Sequence, residues 1–146
     1  MSNLSVLISI RKMSPSANLP KYANIGDSGF DLEAIESVTL SPGETKLIGT
    51  GLAFEIPDGM ELQVRPRSGM SLKSNFRVAN SPGTVDSSFR GEVKIIAENT
   101  GHRIIFIEKG DRIAQGVICP VYRAVFIESE LSDTGRGNKG FGSSGN

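Results

Sequence analysis

The sequence has few residues that could form a disulfide or a metal site. Its 146 residues include one cysteine, Cys119, and one histidine, His102, which excludes an intrachain disulfide and argues against a structural zinc site. Cys119 lies in the apolar run 117–121, so we expect a buried small side chain rather than a catalytic thiol. We expect His102 to be a solvated turn residue. The scarcity of cysteine fits a reducing compartment, and we predict a cytoplasmic protein.

Net charge and long hydrophobic runs are also absent. Sixteen acidic and sixteen basic side chains cancel, which removes the electrostatic footprint expected of a protein that binds nucleic acid polymers. No apolar run approaches the length of a membrane-spanning helix, and residues 1–10 lack the pattern of a secretory signal. The 38% hydrophobic and 22% charged residues are typical of a single soluble globular domain.

Turn signals recur at short intervals and separate short β-type runs. The turns include Ser41-Pro42-Gly43, Pro57-Asp58-Gly59 and Ser81-Pro82-Gly83. No run shows a long apolar stripe of helical period, and one short helix is predicted from Ser68 to Asn75. The predicted strands cover residues 5–10, 45–48, 52–56, 61–64, 92–98, 104–107 and 117–127. This pattern indicates an all-β jelly roll or distorted β-barrel.

The end of the chain differs in composition from the rest. Residues 135–146 include five glycines and have little with which to bury a core. We therefore predict a β domain over residues 1–134 and a flexible glycine-rich arm over residues 135–146. Arg136 and Phe141 are unusual on such an arm, since neither has an evident structural task there. On composition alone, a disordered tail is the simpler interpretation.

Three stretches carry residues that suit phosphate chemistry. The segment Arg65-Pro66-Arg67-Ser68-Gly69 places two guanidinium groups beside a hydroxyl at a predicted helix start, which favours an anion. Ser68 could equally be a helix cap. Asp86 follows the turn 80–85, and Asp31 ends a second, glycine-rich turn. Such acids are consistent with metal-assisted phosphoryl chemistry, but acids near these turns commonly satisfy backbone amides instead.

Five segments resemble, in order and spacing, the signature motifs of the trimeric dUTPase family. They span residues 27–145 and read Asp27-Ser28-Gly29-Phe30-Asp31-Leu32, Pro66-Arg67-Ser68-Gly69, Gly83-Thr84-Val85-Asp86 with Phe89-Arg90-Gly91-Glu92, Gly110-Asp111-Arg112-Ile113-Ala114-Gln115, and Arg136-Gly137-Asn138-Lys139-Gly140-Phe141-Gly142-Ser143-Ser144-Gly145. The resemblance implies a β jelly roll assembled as a homotrimer whose sites are shared between chains. It also implies hydrolysis of dUTP to dUMP and pyrophosphate, which limits uracil incorporation into DNA and supplies dUMP for thymidylate synthesis.

The resemblance further implies a role for each matched residue. Asp86 corresponds to the general base that activates a water for attack on the α-phosphorus. Mg²⁺ would be held mainly by substrate phosphates and waters, with Asp31 orienting the site without binding the metal directly. The implied catalytic residues are Asp31, Arg67, Ser68, Asp86, Gln115 and Arg136.

The remaining implied residues bind the nucleotide. Asn80 and the backbone of residues 83–85 would read uracil, Lys94 would assist through water, and Phe141 would stack on the base. Phe89 would pack on the deoxyribose. The full implied substrate-binding set is Arg67, Ser68, Gly69, Asn80, Gly83, Thr84, Val85, Asp86, Phe89, Lys94, Gln115, Arg136, Phe141, Gly142 and Ser143.

Two departures and two alternatives accompany this resemblance. Phe89 stands where the family usually has tyrosine, and Lys139 stands where a second glycine is frequent. The related dCTP deaminases share the fold but generally lack the C-terminal arm, so deamination is the weaker hypothesis. A second role through a regulatory protein partner also stays open.

Overall fold

Antiparallel strands dominate the computed structural model, which describes residues 4–143 and 145. This confirms the all-β prediction. No helix in that part of the chain has the length and apolarity needed to cross a membrane. The described elements are β1 (Ser9–Lys12), β2 (Phe30–Glu33), β3 (Val38–Leu40), β4 (Thr45–Glu55), β5 (Met60–Arg65), α1 (Ser68–Lys73), β6 (Phe76–Val78), β7 (Gly83–Val85), β8 (Glu92–Asn99), β9 (Ile105–Ile107) and β10 (Arg112–Pro120).

Two four-stranded sheets enclose one hydrophobic core. The first sheet has the strand order β1-β4-β8-β6 and the second has the order β2-β10-β5-β7, while β3 and β9 form a separate ribbon. Buried and exposed positions alternate along β8, as expected for a strand with one face on the core. Ile48 and Ile95 from the first sheet and Leu32 and Leu62 from the second are all fully buried in this core.

Strand β4 is one continuous element where the sequence predicted two. Glycines at 49 and 51 interrupt the apolar pattern, but the chain crosses them with a register shift against β8 between Gly49 and Ala53. Gly51 has a φ of 69°, a conformation that favours glycine. Its backbone N–H donates to the Glu92 carboxylate at 2.8 Å. The Glu92 side chain on β8 therefore stabilises the irregularity in β4.

Strand β10 differs most from its prediction, since it covers Arg112–Pro120 rather than residues 117–127. Its first half pairs with β2 and its second half with β5, and only Gln115 and Gly116 have a partner on both sides. After Pro120 the chain has no strand partner within the described residues, and Val125, Phe126 and Ile127 are 90%, 91% and 81% exposed. The apolar pattern of this segment therefore indicates a surface that the isolated chain does not bury.

The other predicted boundaries differ less. Strand β1 begins at Ser9 rather than at residue 5, and α1 ends at Lys73 rather than Asn75. Cys119 is half-buried, with its sulfur 3.7 Å from a guanidinium nitrogen of Arg65, so it is less buried than expected. His102 is exposed, as predicted.

Polar contacts hold the β3–β9 ribbon to the first sheet. Asn99 is fully buried, and its amide donates to the carbonyls of Leu40 at 3.0 Å and Arg103 at 2.7 Å. In the turn before β4, the backbone N–H of Ser41 donates to Glu44 at 2.8 Å. This hydrogen bond, with a further contribution from Lys46, lowers the pKa of Glu44.

Candidate active site

Strand register brings the candidate phosphate-binding residues together at one end of the second sheet. Gln115 on β10 is paired with Asp31 on β2 and with Arg65 at the end of β5. Arg67 follows two residues after Arg65, so its side chain reaches back over the same end. The Arg67 Nε donates to Asp31 Oδ1 at 2.8 Å, and the Gln115 amide donates to the Pro66 carbonyl at 2.9 Å.

The Asp31 carboxylate is shared by two arginines. Besides Arg67, the Arg112 Nη1 lies 3.6 Å from Asp31 Oδ2, and Arg67 also donates to the Arg112 carbonyl at 3.3 Å. The Asp31 and Arg67 side chains are 26% and 30% exposed, so both can still meet a solute. Two guanidinium groups against one carboxylate leave this cluster with an excess of positive charge, which suits a polyphosphate.

Arg112 is the site residue that the role assignment from sequence missed. In an undisturbed strand, residues 112 and 115 point to opposite faces. A register shift between Arg112 and Ala114 changes this alternation, and Arg112 reaches the same carboxylate that lies beside Gln115. The sequence motif contains Arg112, but it does not show the bulge that turns the Arg112 side chain toward Asp31.

Ser68 and Gly69 form the exposed start of α1, next to the Arg67 cluster. Arg67, with an extended backbone, occupies the cap position, and its side chain makes no capping hydrogen bond. Ser68 is therefore the first residue of the helix and not its cap. The interpretation of Ser68 as a helix cap is wrong. Open space surrounds the Gly69 Cα, where an added Cβ would meet no atom within 4 Å.

The connection from β6 to β7, together with β7 itself, carries the candidate uracil-binding residues. Asn80 lies in its turn, and Gly83, Thr84 and Val85 form β7, which pairs with β5. Asp86 directly follows β7 and is exposed. The backbone N–H of Phe89 donates to the Asp86 carbonyl at 3.1 Å, which closes the turn on which both side chains are carried.

One chain does not bring all the candidate residues together. Asp86 comes after Val85, whose partner on β5 is Leu62, whereas Gln115 pairs with Arg65. Three residues along a strand correspond to about 10 Å, so Asp86 lies toward the opposite end of the second sheet. Lys94 lies on the first sheet, opposite Gly49, with its Nζ 3.7 Å from Glu92.

The arm forms a third separate group. Phe141 and Arg136 are exposed, and the Arg136 Nε donates to the Lys139 carbonyl at 2.8 Å within the arm itself. The Ser143 backbone N–H donates to Gly140 at 3.0 Å. Ser144 of the fifth motif and Asn146 at the end of the predicted arm lie outside the described residues.

Three candidate side chains each lie against a glycine. A Cβ added at Gly29 would collide with the Gln115 amide oxygen. A Cβ at Gly83 would lie 3.0 Å from the Asn80 amide nitrogen, and one at Gly91 would lie 2.6 Å from the Phe89 Cζ. The glycines of these motifs therefore leave room for the neighbouring site residues.

The described residues contain no group of three or more His, Cys, Asp or Glu side chains that could hold a metal ion. The phosphate cluster, formed by Asp31, Arg67, Arg112 and Gln115, offers one carboxylate. This carboxylate, that of Asp31, is already paired with two arginines. A cation that takes most of its ligands from substrate and water fits such a site.

Comparison with known proteins decides the family. A family model described as dUTPase matches residues 15–145. The chain belongs to the dUTPase family. This confirms the family and enzyme class predicted from the five motifs.

Individual members of the dUTPase family match along nearly the whole chain. The deoxyuridine 5'-triphosphate nucleotidohydrolase of Nautilia profundicola is 52% identical over 139 residues, covering 94% of this chain and 98% of that protein. The protein of the same name from a Picosynechococcus strain is 50% identical and covers 92% of this chain and 95% of its own. A Staphylococcus bacteriophage 80alpha dUTPase solved with dUpNHpp is 29% identical, with a TM-score of 0.90 over 97% of this chain and 100% of that chain.

Proposed function

We propose that this protein hydrolyses dUTP to dUMP and pyrophosphate. The observation that carries the proposal is the cluster of Asp31, Arg67, Arg112 and Gln115, which presents excess positive charge at one end of the second sheet. Relatives of about 50% identity are named for this reaction. A structural relative solved with dUpNHpp, an analogue of dUTP, supports the same substrate.

Asp86 acts as the general base in the proposed reaction. Its exposed carboxylate accepts a proton from a water, whose oxygen forms a bond to the α-phosphorus. The bond between that phosphorus and the bridging oxygen of the β-phosphate breaks, and pyrophosphate leaves. Arg67, Ser68 and Gln115 bind the triphosphate and stabilise the charge that develops on its oxygens.

Mg²⁺ is the proposed cofactor. When bound to the triphosphate it would neutralise charge on the phosphate oxygens. Asp31 would orient the cluster through its hydrogen bond to Arg67. The presence of one shared carboxylate supports a metal held chiefly by the substrate and water rather than by a cage of protein ligands.

The proposed active unit is a homotrimer in which chains share each site. Two features support association of copies. Val125, Phe126 and Ile127 lie exposed after β10, and an apolar groove of about 1080 Å³ lies beside the edge strand β1. The groove is lined by side chains that include Val6, Ile8, Ile10, Tyr22, Phe30 and Ile118. We propose that residues 121–131 of a second copy occupy it, since extended apolar segments pair readily with a free strand edge.

Association would also complete the site. In one chain Asp86 lies toward the other end of the second sheet from the phosphate cluster, and the described hydrogen bonds of the arm lie within the arm, so a neighbouring copy would supply what each chain lacks. Phe141 would then stack on uracil and Arg136 would bind the terminal phosphates. In the cell, we propose that the reaction takes place in the cytoplasm, limits uracil incorporation into DNA and supplies dUMP for thymidylate synthesis.

Turnover measurements with three nucleotides test the proposal. Pyrophosphate release should be far faster with dUTP than with dCTP or dTTP. If Asn80 and the backbone of residues 83–85 satisfy the edge of uracil, polar groups stay unpaired against cytosine, and such mismatches can cost about 10⁴–10⁵ in kcat/KM. Equal kcat/KM for dUTP and dCTP would show that these groups do not read the base. Ammonia release from dCTP would favour deaminase activity instead.

A further inference from the structure

The ring of Phe89 lies directly over the backbone of Gly91. A Cβ built at Gly91 would be 2.6 Å from the Phe89 Cζ, 3.1 Å from Cε2 and 3.3 Å from Cε1. Real Cβ atoms essentially never approach another atom within 3.0 Å. The observed position of the ring therefore depends on the absence of a side chain at residue 91.

The backbone that carries the ring is fixed by other contacts. The Arg90 Nη1 donates to the carbonyls of Ser87 at 2.6 Å and Phe89 at 3.1 Å. Arg90 also lies 3.5 Å from the Glu55 carboxylate, which ties the turn to β4. A collision at Gly91 would therefore be relieved by the ring, whose side chain is 45% exposed, rather than by the turn.

Gly91 does not need to be glycine for its backbone conformation. It is absent from the described residues with positive φ, so its φ does not require glycine. A methyl group at residue 91 would therefore act first by displacing the Phe89 ring.

We propose that Gly91 is a positioning residue, which sets the place of the Phe89 ring and through it the discrimination between deoxyribose and ribose. This inference rests on the proposed function and on the packing of Phe89 against the deoxyribose that the motif resemblance implies. Ordinary van der Waals contact begins at 3.4 Å, so the Cζ at 2.6 Å would have to move by about 0.8 Å. A misplacement of about 1 Å at a positioned group can cost about 10²-fold in rate.

A double-mutant cycle tests the proposal. The variants are Gly91→Ala, Phe89→Ala and the combination of both, and the measured quantity is the ratio of kcat/KM for dUTP to kcat/KM for UTP. We expect Gly91→Ala to lower this ratio by about ten-fold or more, since the displaced ring no longer meets the sugar as before. In the Phe89→Ala background, Gly91→Ala should leave the ratio unchanged within about two-fold, because no ring remains for the methyl group to displace.

A spectroscopic variant reports the ring position without catalysis. The chain has no tryptophan, so Phe89→Trp introduces a single tryptophan, and adding Gly91→Ala should shift the emission of that tryptophan. An unchanged dUTP-to-UTP ratio in Gly91→Ala would overturn the proposal, as would an equal loss in both backgrounds. Unfolding of the Gly91→Ala variants would also overturn it, because the fold itself would then require the glycine. Absence of dUTP turnover in the unmodified protein would refute the proposed function instead.

Discussion

Asp86 is the residue on which the proposed chemistry depends most. It lies just past the end of β7, exposed, on a turn closed by the hydrogen bond from Phe89 to its carbonyl. The described hydrogen bonds and ion pairs do not involve its carboxylate oxygens, so changing the charge of the side chain should leave the fold intact. Its role can therefore be tested separately from folding.

Replacing Asp86 by Asn should preserve folding and nucleotide binding while lowering kcat by about 10²–10⁴-fold, the usual contribution of a general base. Steady-state kinetics with dUTP, together with binding of dUpNHpp measured by calorimetry, checks both parts. Lys139→Gln provides a control that also removes one charge, at a side chain without a proposed role in the reaction. An Asp86→Asn variant with near-normal kcat would remove Asp86 from the role of base.

Candidate site residues were predictable where a motif carried them, and less so where local geometry decides the contact. Asp31, Arg67 and Gln115 were predicted from their motifs, and the structure places them in one cluster. Arg112 was not given a role because its direction depends on the bulge in β10. The contact between Gly91 and Phe89 could not be read from spacing, since it depends on how the turn folds the ring back.

The longer strands were more predictable than most of the short ones. Strand β5, which alternates apolar and polar side chains, and strand β8, which has a central apolar run, were predicted to within one residue at each end. Short strands such as β6 and β7 were missed because three residues are too few to show a period. Their pairing is determined by tertiary contacts with β8 and β5, which no local pattern records.

Asn99 at the end of β8 shows how one side chain can hold an element in place. Its amide donates to carbonyls of β3 and of the loop before β9, and its oxygen accepts from the Gly101 N–H at 3.0 Å.

We expect Asn99→Ala to lower the free energy of unfolding by at least about 1–3 kcal/mol, the cost of leaving a buried polar group unsatisfied. Chemical denaturation measures the change.

The exposed Asn18 offers a matched control for this prediction. Its amide donates to Glu33 at 3.0 Å at the surface, where water can replace the lost partner. Asn18→Ala should change the free energy of unfolding by no more than about 0.5 kcal/mol. Equal destabilisation by the two substitutions would show that burial of Asn99 is not what makes its hydrogen bonds important.

At the scale of the whole molecule, regular structure ends at Pro120 and the rest of the described chain lies exposed. The arm buries little apolar surface, so deleting the residues from Arg136 onward should leave folding and assembly unchanged. Turnover of dUTP should nevertheless collapse, because Phe141 stacking, worth about 1–3 kcal/mol, and the Arg136 charge act only on the bound nucleotide. Thermal unfolding and size-exclusion chromatography would accompany the kinetics. Full activity in the truncated protein would show that the arm is a passive tail.

Mixing two inactive chains tests whether sites are shared between copies. One chain ends at Gly135 and keeps Asp86, and the other carries Asp86→Asn and keeps its arm. Because Asp86 and the arm occupy separate parts of one chain, mixed trimers can combine an intact Asp86 from one copy with an intact arm from another. Co-expression should therefore restore part of the activity, while each chain alone stays inactive. The two chains differ in mass, so native mass spectrometry can confirm that mixed trimers have formed. Mixed trimers without turnover would mean that each site takes Asp86 and the arm from the same chain, and the shared-site proposal would be wrong.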